Sequence, residues 1–135
     1  MSGILEGIRI VDVSRILAGP YATQMLADLG AEVIKVEAPW GDDTRQWGPP
    51  FTTGCDGKKV AAYFLSCNRG KEIVTFDLKR EASKVRALIE TADVVVENFR
   101  PGTLERLLGP LPKDVILCSI SAYGATGPRR DEPGY

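Results

Sequence analysis

Residues 8–37 read IRIVDVSRILAGPYATQMLADLGAEVIKVE, and the change of period within them decides the fold. Ile8-Arg9-Ile10-Val11-Asp12-Val13 alternates and is rich in β-branched residues, the pattern of a strand. After Ala18-Gly19-Pro20, the residues Ala22, Met25, Leu26 and Leu29 fall at i, i+3, i+4 and i+7 on one helical face. A proline in the first turn opens this helix and Gly30 closes it. Glu32 to Glu37 then reads as a second strand. Strand, helix and strand in so short a span make a βαβ unit, whose right-handed crossover implies parallel pairing.

The remaining chain repeats the alternation. Residues 38–60 hold Pro39, Gly41, Pro49, Pro50, Gly54 and Gly57, with Trp40, Trp47 and Phe51 among them. They read as a long irregular loop, of the kind that binds something or packs on a partner. A short helix over Ala61 to Leu65 leads through Asn68-Arg69-Gly70-Lys71 into a strand over Glu72 to Leu78. A helix over Arg80 to Thr91 turns Val85, Leu88 and Ile89 inward, and Asp93 to Glu97 forms the fourth strand. Thr103 to Leu108 is a short helix and Val115 to Ile120 the fifth strand. The whole is an open α/β sheet with flanking helices. Residues 121–135 are turn chemistry with no closing element, so the sheet is expected to be completed by polypeptide beyond them.

Composition narrows the chemistry. The chain has 135 residues, 44% hydrophobic and 26% charged, the balance of one globular domain. A formal net charge of -1 argues against a general nucleic-acid binder. There is no histidine, which removes Ser-His and Cys-His catalysis and any histidine-ligated metal. Cys55, Cys67 and Cys118 are widely spaced, so reduced thiols are expected and no metal site. No stretch reaches the length of a membrane span and no targeting segment is seen. The expected location is cytoplasmic, with mitochondrial or peroxisomal residence as the alternatives.

Ligands of open α/β sheets bind beyond the carboxyl ends of the strands. Ile16 to Pro20, Ala38 to Gly48, Glu97 to Gly102 and Ser121 to Gly127 lie there. No G-x-G-x-x-G, G-x-x-x-x-G-K-[ST] or G-x-S-x-G is present, which disfavours dinucleotide, P-loop and hydrolase sites. The loops instead carry Arg45, Arg69, Lys71, Arg100 and Arg106, cations suited to a ligand with several phosphates. Arg100 and Arg106 are expected to point at one crevice. Asn68 and Asn98 offer amides, and Phe99 a face for a flat ring. The neighbouring carboxylates Asp42 and Asp43 read as turn residues.

Four phrases arrive in register: LEGIRIVDVSRILAGPYATQMLADLGAEVIKVEAPWGDDTRQWGPPF, NRGKEIVTFDLK, ADVVVENFRPG and ILCSISAYGATGP with PGY. Together they resemble the class III CoA-transferases (CaiB/BaiF family) from end to end. WGPPF and CSISAYGATGP are most similar to the branch acting on succinate- or glutarate-type dicarboxylates. The resemblance implies transfer of CoA from an acyl-CoA donor to a carboxylic acid acceptor through an aspartyl-CoA thioester. It implies a Rossmann-like large domain, a smaller domain and an interlocked homodimer. Residues 1–135 correspond to the N-terminal, CoA-binding part of the large domain, the small domain and C-terminal segment being absent.

By the same resemblance, Ile16, Leu17 and Ala18 match CoA contacts after the first strand. Asn68, Arg69 and Lys71 match the segment near the adenosine phosphates, and Asn98, Phe99 and Arg106 the nucleotide-contacting stretch after the fourth. Where some relatives have an arginine that reaches CoA, this chain has Ala38. The aspartate nucleophile corresponds to a position beyond Tyr135, so no catalytic residue is expected within the chain. No tightly bound cofactor is expected; CoA or acyl-CoA is the substrate, and neither nucleic acid nor membrane is a partner. The alternative is a stand-alone CoA- or nucleotide-binding module, or a subunit of a split enzyme. A weaker alternative is a 2-methylacyl-CoA racemase relative, disfavoured because tyrosine stands at 135 near the place of a histidine base.

Overall fold

The structure, a computed structural model, describes residues 3–134. Five parallel strands form one sheet: β1 (Arg9–Asp12), β2 (Glu32–Glu37), β5 (Glu72–Thr75), β6 (Val94–Glu97) and β7 (Ile116–Ser119). Their order in the sheet is β5-β2-β1-β6-β7. β1 therefore lies at the centre, and the chain reverses its direction of travel across the sheet between β1 and β6. Helices α1 (Ala18–Asp28), α2 (Ala62–Asn68), α3 (Ala82–Ile89) and α4 (Thr103–Leu108) flank it. The five strands and the α/β class follow the reading of the sequence, with boundaries drawn in by a few residues.

The loop over 38–60 is more regular than its glycines and prolines suggest. Asp43–Gln46 forms a 3-10 helix, and β3 (Phe51–Thr53) pairs antiparallel with β4 (Lys59–Ala61). Asp42 caps that 3-10 helix by accepting from the Thr44 amide at 3.0 Å, the turn role expected of it. Trp47 packs edge-on against Tyr63 of α2, with ring centroids 5.4 Å apart.

Alternation along the strands sends neighbouring side chains to opposite faces. On one face Val11, Val13, Val36 and Val95 pack with Val85 and Ile89 of α3 and with Leu104 and Leu108 of α4. On the other, Ile10, Ala31, Val33 and Val96 form a smaller cluster beneath Leu26 and Ala27 of α1. The second face turns polar toward the carboxyl ends of the strands, where Asp12, Ser14 and Lys35 are buried.

α1 departs from its periodicity. The helix buries Gly19, Pro20, Thr23 and Gln24, while Tyr21, Met25 and Leu29 are each about half exposed. The reason lies in the sheet below it. Asp12 requires a hydrogen-bond partner, which Thr23 supplies, and a Cβ at position 19 would collide with the Ser14 side chain. A small, polar stripe therefore faces inward, and half of the apolar stripe, Met25 and Leu29, faces out.

Candidate functional site

Two buried ion pairs stand at the carboxyl ends of β1 and β2. Asp12 accepts from Lys71 Nζ at 3.1 Å, from Thr23 Oγ1 at 2.5 Å, from the Ser14 amide at 2.9 Å and from the Ser14 hydroxyl. Lys71 also donates to the Pro20 carbonyl at 2.8 Å and to Asn68 Oδ1 at 3.0 Å. Its three protons are thus spent inside the protein, tying β1, α1 and α2 together. Burial pulls the Lys71 ammonium below its usual range, against the opposing pull of the Asp12 carboxylate.

Lys35 forms the second pair, donating to Asp42 Oδ2 at 3.1 Å and to the Ser14 carbonyl at 3.0 Å. Burial works against ionisation of Asp42, but Thr44 and Lys35 outweigh it and hold the carboxyl below the usual carboxylate range. Glu37 receives Arg45 through both oxygens, at 2.7 and 2.9 Å, and Arg45 lies over the Phe64 ring. The charged residues inside β2 are therefore anchors for the loop that follows it.

These anchors converge on the turn after β1. Ile16 has φ 70°, in the left-handed region, and is the sole non-glycine residue among those described with a positive φ. Its amide donates to Asp42 Oδ2 at 3.2 Å. One residue earlier, the Arg15 amide donates to Asn98 Oδ1 and the Arg15 carbonyl accepts from Asn98 Nδ2, both at 2.8 Å. A conformation so unfavourable to a β-branched side chain costs about 1–3 kcal/mol and persists where its surroundings over-determine it.

Beside this turn opens a cavity of about 430 Å³. Its walls come from the ends of β1 and β2, the turn after β5 and the segment after β6, and include Val13, Ser14, Ala38, Trp40, Leu78, Phe99, Thr103 and Leu107. Arg15, Lys79 and Arg80 stand among the lining residues as cations. The interior is largely apolar; Arg15, Lys79 and Arg80 share the lining with the carboxylates of Glu37, Asp42 and Asp77, of which Glu37 and Asp42 are neutralised by Arg45 and Lys35. Exposed cations at the mouth of an apolar cavity suit a thin organic arm ending in phosphates.

The nine residues expected to meet CoA divide sharply. Phe99 lines the cavity, and Ile16, Leu17 and Ala18 continue directly from Ser14 and Arg15 at its wall. Asn98 spends both kinds of amide group on Arg15. Asn68 is buried, donating to the Phe64 carbonyl and accepting from Lys71, so neither it nor Lys71 is offered to an outside phosphate. Arg69 is exposed and paired with Asp28 at 2.6 Å. Arg106 is exposed on α4, and neither it nor Arg100 lines this cavity. Arg15, Lys79 and Arg80 were not singled out from the sequence, although Lys79-Arg80 directly after an apolar strand was a usable signal.

The model of the family described as CoA-transferase family III matches residues 5–135. The chain belongs to CoA-transferase family III. A succinate–glutarate CoA-transferase of Agrobacterium fabrum is 50% identical over 97% of this chain and 35% of its own length. The human succinyl-CoA:glutarate CoA-transferase is 44% identical over 97% of this chain and 31% of its own. A crystal structure of a CaiB/BaiF family protein from Brucella suis superposes with a TM-score of 0.94 at 47% identity, covering the whole chain and 38% of that protein. The chain thus spans about a third of the length of these relatives. The likeness confirms the family and the parallel α/β fold read from the sequence. The racemase comparison turns on Tyr135, which lies outside the described residues.

Proposed function

We propose that this chain supplies part of the CoA site of a CoA-transferase that moves CoA from an acyl-CoA donor to a carboxylic acid acceptor. The observation that carries the reading is the cavity beside the strained Ile16 turn, apolar within and lined by Arg15, Lys79 and Arg80. The backbone of Ile16, Leu17 and Ala18 and the Phe99 ring would meet the pantetheine arm and nucleotide. Arg106 would reach the phosphates from outside the cavity. The relatives named for succinate, glutarate and mesaconate support a small dicarboxylate as acceptor.

Transfer through an aspartyl-CoA thioester needs a free carboxylate nucleophile. The carboxylates at and near the cavity are already engaged: Asp42 with Lys35 and Thr44, Glu37 with Arg45, Asp77 with Arg80 and the Lys79 amide, and behind them Asp12 with Lys71 and Asp43 with Arg15. The family resemblance puts the nucleophile elsewhere in the working enzyme, and on this reading these residues bind and orient without bond-making. The outward stripe of Tyr21, Met25 and Leu29 offers surface for the expected homodimer.

Calorimetric titration with CoA tests the reading. Saturable binding is expected, abolished by Ala38→Trp, which fills the cavity, and weakened by about 1.5–3 kcal/mol in Arg106→Ala if that guanidinium meets phosphate. No binding at millimolar CoA would overturn the reading. The 135-residue chain alone is expected to give no acyl-CoA:carboxylate exchange.

A further inference from the structure

We infer that Asn98 is a positioning residue for the CoA site: it holds Ile16 in the left-handed conformation through the Arg15 peptide groups and does not itself grip the ligand. The inference rests on the CoA-site reading above.

The argument is one of peptide planes. The φ of Ile16 is set by the plane of the Arg15–Ile16 peptide relative to the Ile16 Cα. That plane is held at both ends. Its oxygen, the Arg15 carbonyl, accepts from Asn98 Nδ2 at 2.8 Å; its N–H, on Ile16, donates to Asp42 Oδ2 at 3.2 Å. The preceding plane is held as well, by the Arg15 amide on Asn98 Oδ1 at 2.8 Å and by Lys35 on the Ser14 carbonyl at 3.0 Å. The side-chain amide has one orientation that satisfies both bonds, because a backbone N–H can only donate and a carbonyl can only accept.

Asp42 is itself fixed by Lys35 and Thr44, so the opposite end of the Arg15–Ile16 plane is rigid. Removing Asn98 releases one end. A β-branched residue released from a positive φ returns to the ordinary negative region, carrying the Leu17 and Ala18 backbone away from the cavity wall. The fraction of molecules competent to bind then falls, and apparent affinity falls with it. Glycine at position 16 removes that drive, since it takes positive φ as readily as negative.

The experiment is a double-mutant cycle on the protein that carries this chain, with Asn98→Ala, Ile16→Gly and the double variant, read by CoA affinity and by the separation of KM from kcat. Asn98→Ala is expected to weaken CoA binding about tenfold or more, as a KM effect, while the same change in the Ile16→Gly background costs less than about threefold. Asn98→Asp keeps the acceptor for the Arg15 amide but sets a carboxylate against the Arg15 carbonyl, and is expected to resemble Asn98→Ala. An equal penalty in both backgrounds would mean that Asn98 touches CoA directly, and would overturn the inference. A crystal structure of Asn98→Ala gives a reading that needs no ligand. Ile16 at negative φ supports the inference; Ile16 retained near 70° overturns it, whether or not the protein binds CoA. Failure of the unaltered protein to bind CoA would instead count against the functional reading.

Discussion

Val11, Val13, Val36 and Val95 leave the sheet on one side and pack into an apolar cluster, whereas Asp12, Ser14 and Lys35, one position removed on the same strands, leave it on the other and meet fixed charges. The first face is a general solution. Burying side chains such as Val85 and Ile89 contributes about 1.5–3 kcal/mol each and asks only for matching shape. The second face is a specific one. Buried charges cost free energy unless every partner is in place, and such a network admits few alternative geometries. One face secures the domain, and the other sets where the turn after β1 lies.

The largest effect should come from breaking the polar face. Asp12→Ala leaves the Lys71 ammonium buried without its carboxylate and is expected to cost about 3–5 kcal/mol in chemical denaturation. Ile89→Ala cuts the apolar face and is expected to cost about 2–4 kcal/mol. CoA affinity measured on the remaining folded protein should survive Ile89→Ala; an equal loss of affinity per unit of stability in both variants would erase the distinction between the faces.

Acid sharpens the same contrast. The Asp42 carboxyl is depressed in the folded protein, so its contribution is complete above the unfolded value near about 4 and is lost as pH falls through the lower folded value. Thermal melts between pH 7 and 2 should show Asp42→Asn with a flatter acid limb than the unaltered protein. The smallest effect is expected at the exposed pair of Arg69 and Asp28, where Arg69→Ala should leave the melting temperature unchanged within error. A clear drop there would show that the surface near α1 carries more of the fold than either face implies.

The sheet was legible because β-branched runs of even spacing have few other uses, and all five strands are where Val, Ile and Thr concentrate. The buried face of α1 was not. Ala22, Met25, Leu26 and Leu29 give the apolar period, yet burial follows Gly19 and Thr23, since the sheet beneath them is polar and close. Gly19, Thr23 and Ala27 at intervals of four were the signal for that face. Lys71 misled in the same way: a cation in a loop reads as free, and only the three-dimensional position of Asp12 takes it inside. The hairpin of β3 and β4 was hidden by turn residues that look alike whether they end strands or replace them. Of the site, the location beyond the β1 and β6 ends was readable from topology; the division between residues that face the cavity and residues that hold those in place was not.

The Asp12–Lys71 and Lys35–Asp42 pairs cancel, so the rigid centre beside the cavity contributes almost no net field. Arg15 and Arg80 are themselves partnered by Asp43 and Asp77, so attraction of a polyanion is left to Lys79, which has no ion pair among the described residues, and to the exposed guanidinium edges of Arg15 and Arg80. Shape and capture are thereby carried by separate sets of atoms. Raising ionic strength should slow the arrival of an anionic guest while leaving the mould it enters unchanged.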